Sequence, residues 1–193
     1  MKANSFTFFI LALLCFGCQN NNEELFDTNT NQALLERASD KEVFVTVPFK
    51  TDLSVWDVSD YTDTRCGEYP VFYLTMEGNG NITHMGKITT VFTFCVDTST
   101  GYYYDTDVSF VAANGDELYA QIPTGQILPN EGENSDYYQT FFNDLMIFNG
   151  GTGRFQDASG EAYTNAYVHD GEDEWRTDFF SEGFLILKKG KPN

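Results

Sequence analysis

The chain has 193 residues, 16% of them aromatic, and a formal charge of −18 at neutral pH. That acidity argues against nucleic acid as a partner and against adsorption on anionic lipid headgroups. The length suits one domain able to bury a core, and the charge leaves the fold open.

Residues 1–17 read as a lipoprotein signal peptide. Lys2 supplies the charged start, and Phe6 to Phe16 is apolar but too short for a stable transmembrane anchor. Gly17-Cys18 then resembles the end of a bacterial lipobox, although Cys15 stands where a leucine is usual. Cys18 is thus expected to carry a diacylglycerol thioether and to begin the mature chain. Ordinary secretion with cleavage nearby is the alternative. Each buried acyl methylene contributes roughly 0.8 kcal/mol, so two or three chains hold a protein to a membrane without a spanning helix. Gln19 follows in place of an aspartate, which is unlike an inner-membrane retention signal. The run Asn20 to Glu24 resembles the surface-export tract of Bacteroidetes lipoproteins, or is a solvated spacer. The expected location is the bacterial cell envelope, at the outer membrane and facing either side of it.

Residues 18–41 read as an acidic flexible tether with one short helix-prone run, Asn31 to Ala38. From Glu42 strand signals dominate, and a single β-domain is expected over residues 42–190. Val43, Val45, Val47 and Phe49 alternate with Phe44, Thr46 and Pro48. Pro70 to Met76 is a second strand. Met85 to Val96 is a third, with Ile88, Phe92, Phe94 and Val96 on one face. Tyr103 to Val111, Leu118 to Leu128, Tyr138 to Phe148, Phe155 to Val168 and Arg176 to Leu187 follow. About eight strands close a small antiparallel barrel, either filled by side chains or holding one ligand. An open sandwich is the competing architecture. Gly78-Asn79-Gly80-Asn81 and Asn114-Gly115-Asp116 read as hairpin turns.

Cys66 and Cys95 remain after the leader is removed and Cys18 is lipidated. If Phe72 faces Ile88, Cys66 falls opposite Phe94, one residue short of Cys95 and on the wrong face. A bulge at Gly67 would bring the sulfurs together. The pair is a disulfide in that case and two buried thiols otherwise. No second Cys or His stands at ligand spacing, so no metal site is expected.

His84 opens the third strand. It is either a polar group at a barrel mouth or a ring that closes the turn. The cluster from His169 to Glu174 lacks the spacing of a calcium loop and reads as a solvated acidic connection. In the run Tyr102-Tyr103-Tyr104 at least one ring must point outward, where it and Trp175 would form a glycan-type stripe or a barrel rim. The stretch from Phe148 to Gly160 contains Gly150, Gly151, Gly153, Arg154 and Phe155. Its glycines suit positive φ or a close strand approach, and Arg154 would pair with an acid such as Asp157 or hold loop carbonyls.

Three segments carry a resemblance. Gly80-Asn81-Ile82-Thr83-His84-Met85-Gly86, Ala112-Ala113-Asn114-Gly115-Asp116-Glu117-Leu118 and Gly150-Gly151-Thr152-Gly153-Arg154-Phe155 occur in that order. Together they are similar to segments of the allene oxide cyclase barrel-like and dirigent families. The resemblance implies the closed barrel. It carries over no catalytic residue, since nothing here matches the cyclase's catalytic stretch or the dirigent cavity acids.

The expected function is binding of a small apolar molecule by an envelope-anchored barrel. Ile88, Phe92, Phe94 and His84 are the candidate ligand contacts, and no cofactor is expected. Two alternatives stay open. One is a cofactor-free cyclase or isomerase that orients a reactive substrate. The other is a filled barrel working through its outer surface.

Overall fold

The structure, a computed structural model, describes residues 42–171 and 174–189. The signal peptide expected at 1–17, the lipidation expected at Cys18 and the tether expected at 18–41 lie outside these residues.

The strands are β1 (Phe44–Asp57), β2 (Val71–Ile82), β3 (Gly86–Asp97), β4 (Tyr102–Ala112), β5 (Glu117–Gln126), β6 (Leu128–Pro129), β7 (Thr140–Gly151), β8 (Ser159–Asp170) and β9 (Trp175–Lys188). A short 3-10 turn, Gly153–Phe155, lies between β7 and β8. Every strand but β6 takes part in a closed antiparallel barrel in chain order, β5 pairing with β7 and β9 returning to β1. The two-residue β6 runs beside the start of β7. The fold is therefore an all-β, eight-stranded up-and-down barrel.

Side chains alternate as period two demands. On β1, Phe49, Thr51, Leu53 and Val55 are buried, while Lys50 and Asp52 face solvent. Charge outside and apolar bulk inside is the reverse of the arrangement that seats a barrel in lipid. Val43 and Val45 share the inward phase yet are exposed, because this end of β1 overhangs the core. Alternation fixes a face; it does not say where the interior stops.

The second hairpin differs from its sequence signal. Gly78-Asn79-Gly80-Asn81 lies inside β2, and the turn comes at Thr83–Met85. A β-carbon on Gly78 would stand 2.0 Å from the Ser54 carbonyl oxygen, and one on Gly80 2.4 Å from that of Asp52. These glycines let β2 lie close against β1. The positive φ falls instead on His84 (64°) and Gly86 (72°). With the turn displaced, Phe72 faces Val96 rather than Ile88. The displacement is even, so the inward face is kept. Other strand ends also move: β1 runs on to Asp57, and β8 starts at Ser159 because Gly153–Phe155 coils.

The interior is divided. Towards the end bearing the β2–β3, β4–β5 and β7–β8 connections it is packed solid. Phe49 lies 4.5 Å from Phe148 and 6.4 Å from Phe110 between ring centroids, and Phe155, Leu118 and Leu185 are fully buried beside them. Towards the other end it is hollow.

The packed end explains the three recognisable segments. Thr83 receives the Lys50 amide on its hydroxyl oxygen at 2.9 Å and donates to the Pro48 carbonyl at 3.1 Å. The glycine turn docks on the β4–β5 hairpin: the Thr152 amide donates to the Glu117 carbonyl at 2.8 Å, and the Glu117 amide donates to the Thr152 hydroxyl at 3.0 Å. Gly153 has φ 55°, and a β-carbon there would meet the Asp116 carboxylate at 1.9 Å. Arg154 reaches that carboxylate at 3.5 Å and lies over the Phe155 ring. Its partner is thus across the hairpin rather than Asp157, which pairs with Lys188.

Candidate functional site

A cavity of about 300 Å3 occupies the hollow half. Val55, Leu74, Met76, Phe142 and Val168 form walls from four strands. Phe92 and Phe179, stacked with centroids 4.7 Å apart, stand between it and the packed half. Thr98, Gly101, Ile127, Asp170 and Trp175 sit where strands end and ring its mouth.

Of the residues expected to contact a ligand, Phe92 and Phe94 line this cavity. Ile88 lies deeper on the same strand face, in the packed core. His84 is in the β2–β3 turn at the sealed end, away from the cavity. The glycine motif, Gly150 to Phe155, is also at the sealed end.

Sequence reasoning missed the polar part of the interior. Asp105 has φ 52°, and opposite it the β3–β4 register shifts between Thr93 and Cys95. A bulge of this kind re-aims side chains. Here it turns both Tyr103 and Thr106 inward, where they line the cavity, and leaves Tyr102 and Tyr104 outside. Tyr103 donates a hydrogen bond to Asp144 of β7. The β5–β7 ladder is interrupted there, between the Gln121–Ile147 pair and the Leu128–Phe141 pair. Asp144 is buried, and burial pushes its carboxyl up to about 6. A signal for it exists in the sequence. Phe142, Asp144, Met146 and Phe148 share one strand face, so a carboxyl stands in an otherwise apolar row.

Outside the barrel near the mouth, a polar cluster fastens the 130–139 connection. Asp178 accepts from Ser54 at 2.5 Å and from Tyr138 at 2.7 Å, and pairs with Arg176 at 3.1 Å. Burial alone would raise the Asp178 carboxyl; the hydrogen bonds from Ser54 and Tyr138 and the charge of Arg176 hold it below its ordinary value. Trp56 donates to Glu174 at 2.8 Å. His169 stacks on Tyr137 at 4.2 Å, so it braces this connection. Among the described residues no cluster of three or more His, Cys, Asp or Glu could hold a metal ion.

Cys66 and Cys95 form a disulfide with Cα atoms 5.7 Å apart. Cys66 lies in the β1–β2 connection, beyond the end of β2, so no bulge within the hairpin is involved. In β3, Phe94 lines the cavity while Cys95 turns to the bridge.

These features define a closed up-and-down barrel, sealed at one end, with an apolar cavity at the other. No family model matches the chain, and no curated protein matches it. Among solved structures it is similar to the pterocarpan synthase dirigent protein GePTS1, with 15% identity and a TM-score of 0.42 over 79% of this chain and 90% of that one. It is likewise similar to the pterocarpan synthase dirigent protein PsPTS1, with 12% identity and a TM-score of 0.42 over 78% of this chain and 99% of that one. Among the described residues no helix is long and apolar enough to cross a membrane.

Proposed function

We propose that this is a lipid-anchored envelope protein whose barrel binds a small, largely apolar molecule. The cavity of about 300 Å3 carries the reading: it is apolar-walled, sealed below and ringed by loops above. Its volume falls at the lower end of the range for small-molecule sites. Transfer of ligand surface from water to such walls is worth roughly 25 cal/mol per Å2. The lipobox-like Gly17-Cys18 supports anchorage at the outer membrane. Binding of this kind calls for no cofactor.

A second reading, a cofactor-free isomerase or cyclase, is favoured by one observation. The buried Asp144 carboxyl, raised to about 6, stands behind Tyr103 of the cavity wall and can hold or release a proton near neutrality.

Native mass spectrometry of the full chain, purified from its own envelope, tests the binding reading. A small molecule should copurify, and Val96→Trp, which fills the cavity wall, should abolish it. Empty protein across several preparations would overturn it and favour a barrel that works through its outer surface.

A further inference from the structure

Polar groups on the cavity wall are few, and one irregularity of β4 sets two of them. The bulge at Asp105 points Tyr103 and Thr106 into the same hollow. Room for the Tyr103 phenol comes from Gly125 on β5, where a β-carbon would lie 2.3 Å from the Tyr103 oxygen. Three strands therefore cooperate to hold one phenol against one buried carboxylate.

What these groups leave unused defines a ligand. The Tyr103 hydroxyl gives its hydrogen to Asp144, and its oxygen keeps lone pairs that can accept. The Thr106 hydroxyl is shut away from solvent with no partner in the protein. A buried hydroxyl left unpaired carries a desolvation penalty that nothing in the barrel offsets. One rotamer step about χ1 exchanges it with the methyl group beside it. Charge narrows the ligand further. Among the described residues that line the cavity there is no lysine, arginine or histidine, and Asp170 stands at the mouth. A carboxylate entering here would lose its water, meet no cation and approach two acids.

We propose that the cavity selects an uncharged apolar alcohol or phenol, its hydroxyl held by Tyr103 and Thr106, and rejects carboxylate-bearing amphiphiles. The selection rests on the cavity being a ligand site at all. A ligand hydroxyl donates to the Tyr103 oxygen or accepts from Thr106, whereas a hydrocarbon leaves both unused.

Calorimetric titration of the full chain with naphthol, naphthalene and naphthoate near neutral pH tests this. Naphthol should bind about tenfold tighter than naphthalene, the effect of one net hydrogen bond. Naphthoate should bind at least about tenfold more weakly than naphthol. Thr106→Val keeps the shape and removes the orphan hydroxyl. It should reduce the preference for naphthol without weakening naphthalene binding, and raise the Tm of the ligand-free protein. Tyr103→Phe is the second variant, and loss of the preference in either supports the assignment. Equal binding of naphthol and naphthalene, tight naphthoate binding, or a preference that survives in both variants overturns it. Failure of naphthol and naphthalene alike overturns the prior reading of the cavity as a ligand site, and the selection with it.

Discussion

Tyr103 of β4 reaches Asp144 of β7 through the space left by Gly125 of the strand between them. A methyl group on Gly125 would lie 2.3 Å from the Tyr103 oxygen and 2.4 Å from an Asp144 carboxylate oxygen. Gly125→Ala must therefore part the pair or shift a packed ring. We expect a loss of about 1–3 kcal/mol in urea denaturation, in line with overpacked cores. Unchanged stability would mean that the pair gives way freely.

The same carboxyl should leave a mark on the pH profile. Burial raises Asp144 to about 6 in the folded protein, against roughly 3.9 in an unfolded chain. The native state then binds the proton more tightly, so the contribution of Asp144 to stability falls as pH rises between those values. Above the window the penalty is on the order of 3 kcal/mol. Asp144→Asn should be more stable than the parent above pH of about 6, and the gap should close towards pH of about 4. Asp178, held low by Ser54, Tyr138 and Arg176 against its burial, titrates in both proteins and cancels from the difference. Denaturant midpoints across this range decide the matter; a gap independent of pH would show that Asp144 ionises normally.

At the sealed end the glycine should matter more than the arginine. Gly153→Ala puts a side chain at φ 55° and into the Asp116 carboxylate. That should cost about 1–3 kcal/mol. The Arg154 ion pair spans 3.5 Å and the side chain is 47% exposed. Arg154→Ala should cost under about 1 kcal/mol. Thermal melts of the two variants rank them, and the opposite ranking would contradict the structure. Ligand affinity should hold in both, since the turn is remote from the cavity.

The Cys66–Cys95 bridge pins the long connection after β1 to β3, across 29 residues of chain. Cys66→Ser with Cys95→Ser should lower stability by about 2–4 kcal/mol. Thiol titration of the denatured parent should gain two groups on reduction, from these two cysteines. Equal counts with and without reductant would exclude the bond.

Cys18→Ala should release the protein from the membrane fraction into the soluble one. Fractionation followed by immunoblotting reads this directly. Retention of the variant on membranes would sink the lipid anchor.

Much of the barrel was legible because period two survives nearly everywhere. The strand runs from Tyr103 to Val111 and from Leu118 to Leu128 fall close to β4 and to β5 with β6. Misplaced features share a physical cause. Gly78 and Gly80 look like a turn because glycine serves both tight turns and close strand contacts, and sequence does not separate the two uses. The Phe72 register followed from that error. The bulge at Asp105 has no glycine to announce it, so the inward turn of Tyr103 and Thr106 was hidden. Asp144 was readable as a carboxyl in an apolar row, but its partner depends on a strand contact far away in sequence. The three recognisable segments lie at the sealed end, which explains why they pointed to the container and said nothing of the mouth.

Pairing of β1 with β9, from Phe44 with Lys188 to Trp56 with Arg176, has a consequence for biogenesis. The first strand made has no second neighbour until the last one leaves the ribosome. Until then the nascent sheet keeps two raw edges and an uncovered apolar face, the state most open to mispairing. Closure joins the two ends of the domain, so contacts of the greatest sequence separation come last and folding should be slow.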